Sequence, residues 1–115
     1  RPGVPVQPPG SGLMPGLARH GDIEIVKRTI GAFQGTDLDA RLRELGVTTL
    51  VFGGIATNLG VESTARAALD LGYDLVFVED AMAAFTAAEH DASARLDFPR
   101  LGTVATADQV RFLAG

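Results

Sequence analysis

From Asp22 onward, apolar and polar positions alternate between two rhythms. IEIVKR, Ile23 to Arg28, is a short β-rich run. In GTDLDARLRELG, Leu38, Leu42 and Leu45 fall on one helical face. Thr36 is the predicted cap of that helix, with Asp37 and Asp39 in the first turn and Gly46 at the C′ position. VTTLVFGG then runs without a polar break, the pattern of a strand buried on both faces of a parallel sheet. A second helix is predicted from about Leu59 to Leu71, stopped by Gly72. DLVFVED repeats the buried-strand pattern. AMAAFTAAEHDASARLD reads as a helix ending before Pro99. LGTVAT is a last short strand and ADQVRFLA a last helix.

Strand and helix thus alternate, with connections of a few residues. That order predicts βαβ units in a parallel, Rossmann-like sheet of the three-layer α/β/α class. Such sheets bind ligands at the carboxyl ends of their strands, here Lys27, Gly53 to Gly60, and Asp80. Residues 1–21 follow neither rhythm. Five of the six prolines lie in the first fifteen positions, mixed with Gly and Ser, which predicts an irregular segment. The organised part is expected to span 22–115.

A chain of 115 residues, 46% of them apolar, is the size of one domain with a core. Its apolar runs are far shorter than a bilayer span, so no membrane partner is expected. There is no cysteine, which excludes a disulfide, a thiolate metal site and a cysteine nucleophile within this sequence. A cytoplasmic setting fits that composition. The net charge is −4, the longest basic cluster is Lys27-Arg28, Trp is absent and Tyr occurs once. These features argue against a nucleic-acid partner.

Three places could carry chemistry. In GGIATNLGVESTAR a strand ends in glycines and a helix starts within a few residues. The first turn of a helix has backbone N–H groups without partners and a positive dipole end, which suit an anion or a developing oxyanion. The bland alternative is that Gly53, Gly54 and Gly60 only allow tight packing and unusual dihedrals. The turn matches neither the dinucleotide fingerprint nor a P-loop. Lys27 could hold an anionic substrate or donate a proton, or it could be a solvated rim lysine. It is the only lysine, against nine arginines. Asp80 could act, or merely cap the helix that follows. Glu89, His90 and Asp91 are consecutive on a predicted helix, so their side chains diverge and no metal site is expected.

The stretches IVKRTIGAFQGTDLDARLRELGV, VFGGIATNLGVESTARAALDLGY and VFVEDAMAAFTAAEH resemble the isochorismatase-like (cysteine hydrolase) superfamily over about residues 22–115. The turn Gly54-Ile55-Ala56-Thr57-Asn58-Leu59-Gly60-Val61, followed by Thr64-Ala65-Arg66, matches that family's pattern except that Gly60 stands where a cysteine is usual. The resemblance implies a hydrolase with catalytic roles for Lys27 and for the Ala56 and Gly60 N–H groups. It also implies a cis Ile55–Ala56 peptide and substrate contacts at Phe33, Ile55, Thr57 and Asn58. Without a thiol the covalent amidase route is closed, and the family's Cys-less branch, which uses water, is the nearer likeness. The expected ligand is a small, anionic molecule, with no cofactor and no metal. The family's aspartate lies on an earlier strand that this sequence lacks, so the chain is expected to be the C-terminal part of a longer domain. A homo-oligomer is expected on family grounds, with the apolar AMAAFTAAEH helix as one contact or as plain core. The alternative function is a catalytically inactive binding or assembly protein that keeps the fold.

Overall fold

A computed structural model describes residues 13–111; positions 1–12 of the proline-rich segment and 112–115 of the last expected helix lie outside them. The described elements are α1 (Leu38–Glu44), β1 (Thr49–Ile55), a π turn (Thr57–Val61) leading into α2 (Glu62–Asp70), β2 (Asp74–Ala83), α3 (Ala87–Ala92), a second π turn (Ser93–Asp97), α4 (Phe98–Leu101), β3 (Thr103–Ala105) and a 3₁₀ turn (Ala107–Gln109). The strands form one parallel sheet in the order β1-β2-β3. Parallel neighbours need a crossover, which α2 supplies between β1 and β2, and the helical run 87–101 between β2 and β3. This is the expected α/β architecture with a parallel sheet.

The core is built on one face of β2. Leu75 and Phe77 point into it and meet Ala65 and Ala68 of α2, with Ala94 and Phe98 from the run above β3. The Phe77 and Phe98 rings stack with centroids 4.0 Å apart, and Phe52 of β1 stacks on Phe77 at 5.5 Å. Alanines on α2 let the helix backbone approach the sheet. Gly102 serves the same close packing, because a Cβ there would lie 2.3 Å from the Leu75 carbonyl oxygen.

Two helix ends follow local rules. After α1, the Gly46 N–H reaches the Arg43 carbonyl and the Val47 N–H that of Leu42; Gly46 has φ 72°. After α2, the Gly72 N–H reaches Leu69 and the Tyr73 N–H reaches Ala68; Gly72 has φ 95°. Both are Schellman motifs, and both glycines stand where the periodicity predicts.

Elsewhere tertiary contacts move the boundaries. IEIVKR is not a strand: it keeps its alternation, with Ile23 and Ile25 half-buried, but finds no ladder partner among the described residues. Lys27 is therefore on an exposed loop and not at a strand end. β1 is covered on one face only. Leu50 and Phe52 are half-buried against the core while Val51, on the opposite face, is 40% exposed. Thr36 sits one residue before the N-cap position held by Asp37, and its hydroxyl accepts only a long bond from the Leu38 N–H, 3.4 Å.

The largest shift concerns AMAAF. Ala81 to Ala83 belong to β2, with Met82 opposite Gly54 and Ala83 opposite Ile55. Pairing with the end of β1 overrides the helical preference of alanine. Between Phe77 and Met82, β2 carries extra residues relative to β1 and bulges. The helix starts only at Ala87, where Thr86 and Glu89 form a capping box. Asp80 does not cap it; its carboxylate accepts the Ala107 N–H at 2.8 Å instead. Phe85 lies on the connecting loop, 81% exposed, so it is not on a helix–helix face. Pro99 is not a stop either. The wider π turn precedes it, so its missing N–H falls in the first turn of α4 and the run continues to Leu101. In the described part of the last expected helix, Ala107–Gln109 form a 3₁₀ turn, after which Val110 is extended, φ −87° and ψ 128°.

Candidate functional site

β1 delivers the chain to the turn, and α2 carries it away. Gly53 and Gly54 have clear structural reasons to be glycine. A Cβ at Gly53 would meet the Ala81 carbonyl oxygen at 3.1 Å, and Gly54 has φ 124°. The peptide Ile55–Ala56 is cis. Ala56 is buried, and its carbonyl accepts N–H bonds from Leu59 and Val61, both 3.1 Å, which winds residues 57–61 into a π turn.

Gly60 differs from its neighbours. It has no positive φ, and a Cβ on it would meet only the Ile30 and Ile55 carbonyl oxygens, at 3.5 and 3.7 Å. Those are ordinary contacts. The bland reading of the glycines therefore holds for Gly53 and Gly54 but not for Gly60.

Lys27 approaches the same place. Its Nζ donates to the Ile30 carbonyl at 2.9 Å and to the Thr29 carbonyl at 3.1 Å. The Ile30 oxygen thus stands between the lysine ammonium and the position where a residue-60 side chain would begin. The loop carrying it is tied to the turn by a second route. The Ala32 N–H donates to Thr64 Oγ1 at 3.0 Å, and that hydroxyl donates to the Gly60 carbonyl at 2.6 Å. A Cβ on Gly31 would lie 3.1 Å from Ser63 Oγ, so the loop packs closely on α2.

The remaining expected residues divide. Ile55 is 80% exposed at the rim, and Asn58 Oδ1 is buried without a hydrogen-bond partner among the described residues. Thr57 is fully buried, with Oγ1 2.7 Å from His90 Nδ1. Phe33 is placed elsewhere. It stacks on Tyr73 with centroids 6.0 Å apart and lines a cleft of about 840 Å³ with Ile30, Ser63, Ala67 and Leu71. None of Ala56, Thr57, Asn58 or Gly60 lines that cleft, although Ile30, whose carbonyl oxygen neighbours Gly60, does. Beside it, Tyr73 donates to Asp39, and the Arg43 guanidinium lies 4.3 Å above its ring. Burial pushes the Tyr73 phenol above its usual value, and the bond to Asp39 adds to the rise.

His90 and Thr64 are the contacts that the sequence reading missed. In the sequence Thr64 belongs to the matched motif without a role, and His90, between Glu89 and Asp91, suggests at most a metal ligand. Nothing in spacing links Thr57 with a residue 33 positions on.

A family model described as the isochorismatase domain matches residues 1–109. The uncharacterised isochorismatase family protein YwoC of Bacillus subtilis is 52% identical over 91 residues, which cover 79% of this chain and 48% of YwoC. The ureidoacrylate amidohydrolase RutB of Variovorax paradoxus is 49% identical over 61 residues, 53% of this chain and 24% of RutB. Among solved structures, an isochorismatase family protein from Burkholderia thailandensis superposes with a TM-score of 0.79 at 45% identity, covering 81% of this chain and 49% of that one. The chain thus spans about half the length of YwoC. Relatives of this kind include hydrolases of small molecules, and no helix among the described residues is long and apolar enough to cross a membrane. On the family match and the identity together, this chain belongs to the isochorismatase family.

Proposed function

We propose that the chain is part of a hydrolase that cleaves a small, anionic molecule with water and without a covalent intermediate. One observation carries the reading. Lys27 Nζ and the vacant Cβ direction of Gly60 converge on a single carbonyl oxygen, that of Ile30. A cation and a helix-start turn then face one small region, and no backbone requirement explains the glycine.

In this reading the Lys27 ammonium orients the anionic group of the substrate, and the Ala56 and Gly60 N–H groups hold negative charge that develops on oxygen. Water takes the place of the side-chain nucleophile, and a carboxylic acid opposite the turn, the part the family gives to an aspartate, moves the proton. Ile55 and Asn58 form the substrate rim. The buried Asn58 Oδ1 is an acceptor in need of a donor, which a water or a substrate N–H or O–H would supply. Phe33 acts from the neighbouring cleft, through Ile30. Residues 22–115 are one portion of the catalytic domain, the setting is cytoplasmic, and the domain assembles as a homo-oligomer. The exposure of Ile55 and Phe85 supports assembly.

The test is hydrolysis of a panel of small carboxylates bearing amide, ureido or vinyl-ether bonds by the natural protein. Lys27→Ala should lower kcat/KM by roughly 100-fold, the scale of one lost charge-stabilising group. The intact protein mass should stay unchanged during turnover; a substrate adduct would overturn the non-covalent route. The second reading, an inactive binding protein on this fold, is favoured by the two hydrogen bonds that Lys27 makes to loop carbonyls. Under it, Lys27→Ala weakens the turn while no substrate in the panel is consumed.

A further inference from the structure

The helical run beginning at Thr57 has no side-chain cap of its own: Ala56 stands at the N-cap and offers no acceptor. What fixes the start is a bond from far away. Thr57 is completely buried, and its Oγ1 lies 2.7 Å from Nδ1 of His90 on α3. α3 is itself held by local bonds. Thr86 accepts the Glu89 N–H at 3.1 Å, the Glu89 carboxylate accepts the Thr86 N–H at 3.1 Å, and the His90 N–H reaches the Thr86 carbonyl at 3.2 Å. The imidazole is therefore presented from an anchored helix to a hydroxyl with no access to water. Its ring also lines a cleft of about 560 Å³, with Glu79 and Asp80 of β2, Asp91 of its own helix, and Ala94 and Arg95 of the next turn.

We propose that His90 is a positioning residue for the turn 56–60. By holding the Thr57 hydroxyl, it sets the direction of the N–H groups that the proposed function assigns to the substrate, and so it rests on that reading for its catalytic consequence. The bond has one economical arrangement. A neutral imidazole with its proton on Nε2 accepts the Thr57 O–H at Nδ1. The hydroxyl is then a donor to His90, the one side-chain bond of this buried group among the described residues. Together with Thr64, which holds the Gly60 carbonyl, His90 ties down the two ends of the same turn from outside it.

The experiment uses the natural protein, uniformly ¹⁵N-labelled, and reads the structure and the chemistry separately. Long-range ¹H–¹⁵N spectra should show the Nε2–H tautomer for His90. His90→Ala and Thr57→Val should shift the same amides, Thr57 to Val61, and speed their exchange roughly tenfold, the factor for about one lost hydrogen bond. The double variant should be no worse than either single one. His90→Asn, whose amide can meet the hydroxyl, and Thr57→Ser should return those amides toward their original positions. Changes confined to α3, or additive effects in the double variant, overturn the proposal. So does an Nδ1–H tautomer. On a turned-over substrate, His90→Ala should lower kcat roughly 10- to 100-fold, as small misplacements in a site do, with KM little changed and His90→Asn recovering most of the loss. If the amides respond as stated and no substrate is consumed, the positioning contact stands and the hydrolase reading fails. If turnover is present and the amides do not respond, the positioning contact alone fails.

Discussion

At its carboxyl end, the helical run from Thr57 to Asp70 is closed by backbone bonds that span at most five residues, joined by one side-chain bond from Arg43 to the Leu71 carbonyl. Gly72 turns left-handed, its N–H and that of Tyr73 satisfy the Leu69 and Ala68 carbonyls, and beyond its chain neighbours no described residue lies within 4 Å of a Cβ placed there. The amino end is held the other way. Thr57 bonds His90, Gly60 receives Thr64 whose oxygen in turn takes the Ala32 N–H, and Ile30 brings Lys27 to the turn. Partners here come from about thirty residues away on both sides. The backbone turn at the stop closes by local chemistry, with Arg43 added from outside, while the start has no local side-chain cap and is a matter of assembly. A turn whose N–H groups are to meet a ligand cannot spend them on its own cap, so its order must come from neighbouring elements.

The strongest way to break this contrast is to remove the body on which both ends rest. Phe98→Ala deletes a fully buried ring stacked on Phe77 and should cost about 3–5 kcal/mol, read by urea denaturation, with both ends lost in one transition. If the turn 56–60 melted first and alone, the two ends would not share a core. Next, Gly72→Ala should cost about 1–2 kcal/mol, the strain of a left-handed backbone with a side chain and with no steric clash added. Amide shifts of Thr57 to Val61 should not move.

Gly60→Ala has the opposite sign. With helical backbone and only ordinary contacts around the new methyl, it should stabilise the fold by about 0.5–1 kcal/mol. Equal penalties at Gly60 and Gly72 would erase the distinction between the two ends. The smallest effect concerns Tyr73, just past the stop. Its phenol is raised by burial and by Asp39, so the folded state keeps the proton longer than the unfolded chain. That contribution is fully present below about pH 10, where the unfolded phenol titrates, and is lost as pH rises toward the higher folded value. Tyr73→Phe should lower stability at neutral pH and flatten the decline above pH 10 in a pH series of thermal melts.

Much of the frame was legible. DLVFVED and LGTVAT are paired strands, the helix ending at Leu71 stops at Gly72, and the α/β order gives a parallel sheet. Where the reading failed, a partner was decisive. IEIVKR has strand composition, but a strand needs a ladder, and no described residue provides one. Ala81 to Ala83 have helical composition, but the end of β1 pairs with them. Pro99 reads as a stop, but the π turn ahead of it changes which N–H is missing. The site was legible only in outline. Its turn and its lysine could be singled out, and the likeness to a family joined them; that Phe33 belongs to the adjacent cleft could not be foreseen.

By itself, then, the amino-acid sequence determined the features that close within a turn, the left-handed glycines at 46 and 72, together with the alternation of strands and helices. Those depend on dihedral preference and hydrogen bonds between near neighbours, which a short window contains. Tertiary structure alone decided which face of β1 is covered, where β2 ends, that Thr57 meets His90, and that Lys27 and Gly60 converge on the Ile30 carbonyl. Each joins groups distant along the chain, and a bond between them exists only once the packing of Leu75, Phe77 and Phe98 has fixed the elements that carry them.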